Sequence, residues 1–85
     1  MTATREVVLY SKPGCHLCDE ARAAIEDARP TLPPFRLREI DIRDDEQVFD
    51  RYHLDIPVCE VDEKEVFRHR LDPPDLDRLH RMLRA

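Results

Sequence analysis

Eighty-five residues, 41% hydrophobic and 39% charged with a formal net charge of −5, suit one soluble domain spanning 1–85. A chain this short buries only ~60% of the surface its unfolded form exposes, so its core has to be small. No apolar run approaches the ~20 residues that cross a bilayer, Met1 to Glu6 hold no signal-like stretch, and the acidic balance argues against general nucleic-acid binding; the expected location is the cytoplasm.

The first element is a strand over Arg5 to Tyr10, where Val7-Val8-Leu9 reads as a buried run. Ser11 to Gly14 breaks it, with Pro13 and Gly14 as punctuation. Leu17, Ala21, Ala24, Ile25 and Ala28 then fall on one face of a helix, which Pro30 and Pro33-Pro34 stop. Phe35 to Ile42 alternates as a second strand, with an irregularity expected near Glu39 where the apolar phase shifts. Asp44 with Gln47 suggests a capping box for a short helix through Tyr52. Ile56-Pro57-Val58 leads into a strand ending at Val61; Asp62-Glu63-Lys64 turns it, and Glu65 to Arg68 returns as a hairpin partner. Asp72 followed by Pro73 is an N-cap and first helical position, and Leu76, Leu79 and Leu83 form the stripe of a last helix.

The order β-α-β-α-β-β-α predicts an α/β fold in which the two first strands pair in parallel through a right-handed crossover. The hairpin completes a four-stranded mixed sheet flanked by three helices. Charge is unevenly spread: residues 39–65 carry eleven acidic and three basic side chains, and 66–85 five arginines and three aspartates. Two solvated faces of opposite bias account for this, as does charge-steered docking of a partner protein.

Three cysteines in a chain of this kind read as redox or metal chemistry and not as a structural staple. Cys15 and Cys18 directly follow the first strand and open the first helix. Only a thiolate attacks a disulfide, and a free cysteine titrates at about 8.5. Unpaired N–H groups and the helix dipole favour an anion at that end. The second thiol of such a turn can then displace a substrate from the first. Lys12, one of only two lysines against twelve arginines, and His16 between the cysteines are candidates for tuning the thiolate. Leu17 is expected to face apolar surroundings and is given no chemistry. Cys59 is expected to be a buried, inert small hydrophobe, with a secondary redox role as the other reading.

Tyr10-Ser11-Lys12-Pro13-Gly14-Cys15 through Cys18 resembles the active-site segment of glutaredoxins, and Ile56-Pro57-Val58 resembles their cis-proline loop. The Cys-His-Leu-Cys version is most similar to a glutaredoxin-like branch of small proteins. The resemblance covers nearly the whole chain and implies a thioredoxin-like fold and a disulfide reductase, an electron-transport role with Cys15 as nucleophile and Cys18 as resolving thiol. It also implies that Ile56 offers its backbone N–H and C=O to the substrate as an added strand would, that Pro57 shapes the loop, and that Asp72 and Asp75 can receive the amino group of glutathione. Helix capping already explains both aspartates.

Glutathione-using members carry an aromatic residue where Leu17 stands, proline where His16 stands, and a Gly-Gly pair before the last helix. Here that region reads Arg68-His69-Arg70-Leu71-Asp72, and Gly14 is the chain's one glycine. The expected protein is therefore a monomer without bound cofactor. Its partners are a disulfide-containing protein or a glutathione mixed disulfide, and a reductase or redoxin as electron donor, with glutathione as a co-substrate where it is used. Two alternatives remain at this stage. One is a metal or iron–sulfur module on the Cys15 and Cys18 thiolates, completed by Cys59 or a histidine. The other is a redox-inactive adaptor with the same fold.

Overall fold

The structure, a computed structural model, describes residues 5–84; Met1 to Thr4, most of the segment read above for a leader, lie outside them. Strand β1 (Arg5–Ser11) runs parallel to β2 (Phe35–Asp41) and antiparallel to β3 (Val58–Val61), which pairs antiparallel with β4 (Lys64–Arg68). The sheet order is β2-β1-β3-β4. Helices α1 (His16–Ala28), α2 (Glu46–Tyr52) and α3 (Pro73–Arg84) complete the element order expected from the sequence.

Strand β1 lies inside the sheet, and its burial alternates: Val7, Leu9 and Ser11 are buried on one face, while Val8 and Tyr10 on the other are half-buried. Val7 and Leu9 point, fully buried, into the larger core, which Ala21 and Ile25 of α1 and Leu79 and Leu83 of α3 close from one side. On the opposite face Tyr10 joins a smaller cluster of Ile42, Val48, Tyr52, Ile56 and Val58 beneath α2. Burying two tyrosines requires partners for their hydroxyls. Both donate to Glu60 of β3, Tyr52 at 2.6 Å and Tyr10 at 3.3 Å, and the two rings lie 4.7 Å apart. A seven-residue helix with little stripe of its own is thereby tied to the sheet.

Several boundaries differ from the sequence reading. Pro30 does not simply end α1; the chain tightens into a 3₁₀ turn over Arg29–Thr31, which tolerates proline near its start. Strand β2 has no irregularity at Glu39: its register with β1 is continuous from Phe35 to Asp41. Glu39 occupies the same face as Phe35 and Leu37, and the phase shift to Ile42 arises because that residue begins another 3₁₀ turn, Ile42–Asp44. The N-cap of α2 is Asp45, not Asp44; its carboxylate accepts the Gln47 and Val48 N–H groups at 2.9 and 3.1 Å. Lys64 belongs to β4, leaving Asp62 and Glu63 as a two-residue turn with φ of 52° and 66°. Positive φ at both positions matches the twist of a tight hairpin. A bulge in β4 lets Cys59 pair with Phe67 and Glu60 with Glu65, which sends consecutive residues Val66 and Phe67 into the same core.

These placements set the cost of two substitutions. Leu79→Ala, in a fully buried site, should lower unfolding free energy by ~2–5 kcal/mol, whereas Asp45→Ala should cost only about 1 kcal/mol through its two cap bonds. Urea unfolding followed by circular dichroism measures both. The reverse ranking would show that the larger core is not closed by α3.

Candidate active site

One end of the sheet gathers every segment of interest. Tyr10 pairs with Val58, Ser11 with Asp41, and Val58 with Arg68. Residues 12–15 leaving β1, Ile56-Pro57 entering β3 and His69 to Leu71 leaving β4 are therefore neighbours at one edge. Among them the Cys15 turn is the most constrained. Gly14 has φ +77°, with open space where a Cβ would stand; left-handed backbone, not crowding, calls for glycine there. The Cys15 N–H donates to the Lys12 carbonyl at 3.3 Å, and the Cys15 carbonyl accepts from Asp19 at 3.1 Å as α1 begins.

Cys15 is the N-cap of α1, and its Sγ accepts the Cys18 N–H at 3.2 Å. Serine, threonine, aspartate or asparagine ordinarily places an oxygen in this position. Here a sulfur stands where unsatisfied N–H groups and the positive end of the helix dipole converge, which favours its anion. Cys15 and Cys18 form a disulfide, with Cα atoms 5.2 Å apart. The two sulfurs are not equivalent: Cys15 is half-buried, while Cys18 has no exposed surface.

The other candidates divide. Lys12 and His16 are both exposed. The Lys12 side chain lines a cavity of about 340 Å³ with Ser11, Asp19, Arg22 and Glu39, beside the turn. Leu17, expected in apolar surroundings, is 42% exposed and lines a shallow groove with Ala21, Ala24 and Leu71. Pro57 is buried and its bond to Ile56 is cis. The Ile56 N–H already donates to the Tyr52 carbonyl at 3.1 Å, so of its two backbone groups the carbonyl is the one left to a substrate. Asp72 is exposed, and its N–H donates to the Asp75 carboxylate at 2.9 Å, a capping contact across the start of α3. Cys59 is a free, buried thiol in the larger core, paired across the strands with Phe67. Among the described residues no group of three or more His, Cys, Asp or Glu side chains is arranged to hold a metal.

Two features escaped the sequence reading. Arg22 of α1 grips both Glu39 oxygens, one through its Nε at 2.6 Å, and the Ser11 hydroxyl donates to the same carboxylate at 2.6 Å. The Arg22 bond, then Ser11, holds Glu39 below the usual carboxyl range against the opposing effect of burial. This pins α1 to β1 and β2 just below the cysteine turn. Second, His69 has φ +71°, its N–H donates to the Pro57 carbonyl at 2.7 Å, and its Nε2 lies 3.3 Å from Asp55. Asp55 also pairs with Arg68 at 3.1 Å. The clue was weak: histidine is one of the few side chains enriched in left-handed backbone.

Comparison with known proteins agrees with this geometry. The family model described as Glutaredoxin-like domain (DUF836) matches residues 6–80. The chain belongs to this glutaredoxin-like family. A curated relative, the glutaredoxin-like protein YDR286C homolog of Dictyostelium discoideum, is 38% identical over 73 residues, covering 79% of this chain and 67% of the relative. The solution NMR structure of protein Ne2328 from Nitrosomonas europaea superimposes with a TM-score of 0.78 at 28% identity, covering 92% of this chain and 93% of that one. The fold of this glutaredoxin-like protein is thioredoxin-like, as the resemblance implied, and the Cys15–Cys18 disulfide is compatible with a redox role. Among the described residues no helix is long and apolar enough to cross a membrane.

The remaining thiol provides a pH test. Burial first, then the negative Glu60 and Asp75, push Cys59 up to about 12. Below the free-thiol value of about 8.5 both folded and unfolded chains hold this proton. Above it the unfolded chain releases the proton and the folded one keeps it, so this contribution to stability falls as pH rises toward 12. Between about pH 9 and about pH 11 the parent should lose up to ~1.4 kcal/mol more per pH unit than Cys59→Ala. Parallel urea-stability slopes for the two proteins would contradict the burial of Cys59.

Proposed function

We propose that this protein is a thiol–disulfide oxidoreductase working by a dithiol cycle, with Cys15 as nucleophile and Cys18 as resolving thiol. The observation that carries the proposal is the inequality of the two sulfurs: the outer one caps the helix and meets solvent, and the inner one is enclosed. In the reduced protein the Cys15 thiolate attacks one sulfur of a substrate disulfide. The S–S bond breaks, the distal half leaves as a thiolate that takes up a proton, and a Cys15–substrate mixed disulfide remains. Cys18, three residues on in the first turn, gives up its proton and attacks the Cys15 sulfur. The second half of the substrate leaves as a thiol and the Cys15–Cys18 disulfide forms. Substrate gains two electrons and the protein loses them.

The cycle is closed by a dithiol or by two molecules of a monothiol, a redoxin system or glutathione as co-substrate. Lys12 supplies positive charge beside the turn, and His16 does so when protonated. The cis-proline loop presents a strand edge through the Ile56 carbonyl to a substrate backbone N–H, a one-sided version of strand addition. Asp72, at the start of α3, is available to a substrate ammonium. The cytoplasm is the compartment in which a reduced Cys15–Cys18 pair would be maintained.

Cys15→Ser should lower disulfide reduction by ~10³-fold or more, since the attacking group is removed. Cys18→Ser should accumulate a covalent adduct whose mass equals protein plus one substrate half, cleaved by dithiothreitol. Turnover by Cys15→Ser at the parent rate would overturn the proposal. Supplying electrons from glutathione and glutathione reductase in one assay, and from thioredoxin and its reductase in another, identifies the donor.

A further inference from the structure

Helix α2 packs Val48 and Tyr52 against the sheet cluster, a pair four residues apart and so on one face. The next pair at that spacing, Phe49 and His53, is exposed, with the two rings stacked 4.8 Å apart at 5°. The His53 Nδ1 lies 2.9 Å from the Phe49 carbonyl. A carbonyl only accepts, so Nδ1 donates and the ring is held over its neighbour. Leu54 follows and is 82% exposed, although the turn that carries it is fixed. Asp55 and Ile56 both donate their N–H to the Tyr52 carbonyl, at 2.8 and 3.1 Å. Folding therefore holds a leucine in water beside an ordered aromatic pair.

The charges of α2 are likewise uncommitted. Asp50 lies in the last turn of the helix, where the dipole disfavours an acid. It also stands four residues after Glu46, a spacing at which like charges repel. Neither carboxylate has a hydrogen-bond or ion-pair partner among the described residues. Arg51, the cation of this helix, is placed over the Tyr52 ring at 5.8 Å. Residues 44–55 together carry five acidic side chains and one arginine.

We infer that the corner formed by α2 and the turn after it docks a protein partner whose cysteine pair exchanges with Cys15 and Cys18. The partner segment places an apolar side chain against Phe49 and Leu54 and basic neighbours at Glu46 and Asp50. The inference rests on the dithiol cycle proposed above and names the surface chemistry of the partner. Leu54 precedes Ile56 by two residues, within ~7 Å of chain from the sheet end that carries Cys15. A second copy of this chain is excluded as the occupant, because its own corner brings the same acids and repels. In the reducing direction a partner thiolate attacks the Cys15 sulfur, the Cys15–Cys18 bond breaks, and Cys18 leaves as a thiolate that takes up a proton. The second partner thiol then gives up its proton and attacks the partner sulfur of the mixed disulfide, releasing Cys15. The partner loses two electrons and this protein gains them.

The test uses the oxidised protein and dithiol peptides built on Cys-Gly-Gly-Cys with a tail of about ten residues, which at ~3.3 Å each is longer than α2. The tails combine leucine with lysine, leucine with glutamate, or serine with lysine, and dithiothreitol is the donor without a tail. Loss of the Cys15–Cys18 disulfide is followed by acid quench and mass spectrometry. At low salt the leucine–lysine tail should react about tenfold faster than leucine–glutamate, the scale of charge steering. It should react about fivefold faster than serine–lysine, through partial burial of leucine. The charge preference should shrink below about threefold at ~1 M salt, where screening acts over ~3 Å. The double variant Glu46→Lys, Asp50→Lys should reverse the charge preference, and Leu54→Ser should remove the leucine preference. All three positions are exposed, and the dithiothreitol rate of each variant is its own reference. The docking assignment fails if either preference is below about threefold in the parent, or survives unchanged in its variant. Reduction by dithiothreitol without either preference rejects the corner alone. Failure of every dithiol to reduce the pair rejects the dithiol cycle, and the docking corner with it.

Discussion

A helix that starts directly after a buried central strand has N–H groups pointing at whatever atom the connecting turn supplies. In this chain that atom is the Sγ of Cys15, held by the Cys18 N–H, where capping would normally place an oxygen. The rest of the site follows from that contact. The turn has to be short, so it needs the left-handed Gly14. The second cysteine has to fall within the first helical turn to meet the first, and at that position it faces inward. An outer sulfur in a field favouring the anion and an inner one shielded from solvent form an unequal pair.

Keeping the cap in place depends on contacts well outside the turn. The Ser11, Arg22 and Glu39 cluster joins α1 to the two parallel strands, so the helix start cannot swing relative to the strand that feeds it. On the other side, the His69–Pro57 bond and the Asp55 pairings connect β4 to the proline loop. Two braces converge on the sheet end from opposite edges. The region without glycine between β4 and α3 fits this arrangement: it has side chains that brace and line a groove, where a pair of glycines would leave bare backbone.

The acidic bias of residues 39–65 takes on a definite meaning in three dimensions. Glu39 pairs with Arg22, Asp41 with Arg43, Asp45 caps α2, Asp55 receives Arg68, Glu60 receives two tyrosine hydroxyls, and Asp62 pairs with Arg5. Most of that charge is spent on local architecture. Exposed pairs of this sort add little stability individually, yet they direct caps, turns and helix placement. The basic bias of the last twenty residues is less committed: Arg68 and Arg78 are paired, while Arg70 lines a groove beside α1.

The amino-acid order alone determined the sequence of elements, a buried first strand, the α3 start at Asp72-Pro73 and the Cys-x-x-Cys at a strand-to-helix junction, because each depends on residues within a few positions of one another. Even some local details were misread by a single residue: Asp44 and Asp45 are equally good caps on paper, and only the 3₁₀ turn at Ile42 decides between them. The apparent break at Glu39 was a regular strand whose carboxylate is paid for by an arginine on another element. Tertiary structure alone decided the burial of one sulfur and the exposure of the other, the commitment of the Ile56 N–H to Tyr52, the bulge in β4 and the left-handed backbone at His69. The Ile56 N–H reaches 4 positions back and the His69 N–H 12, and none of these features carries the apolar periodicity or turn residues through which a sequence displays its local structure.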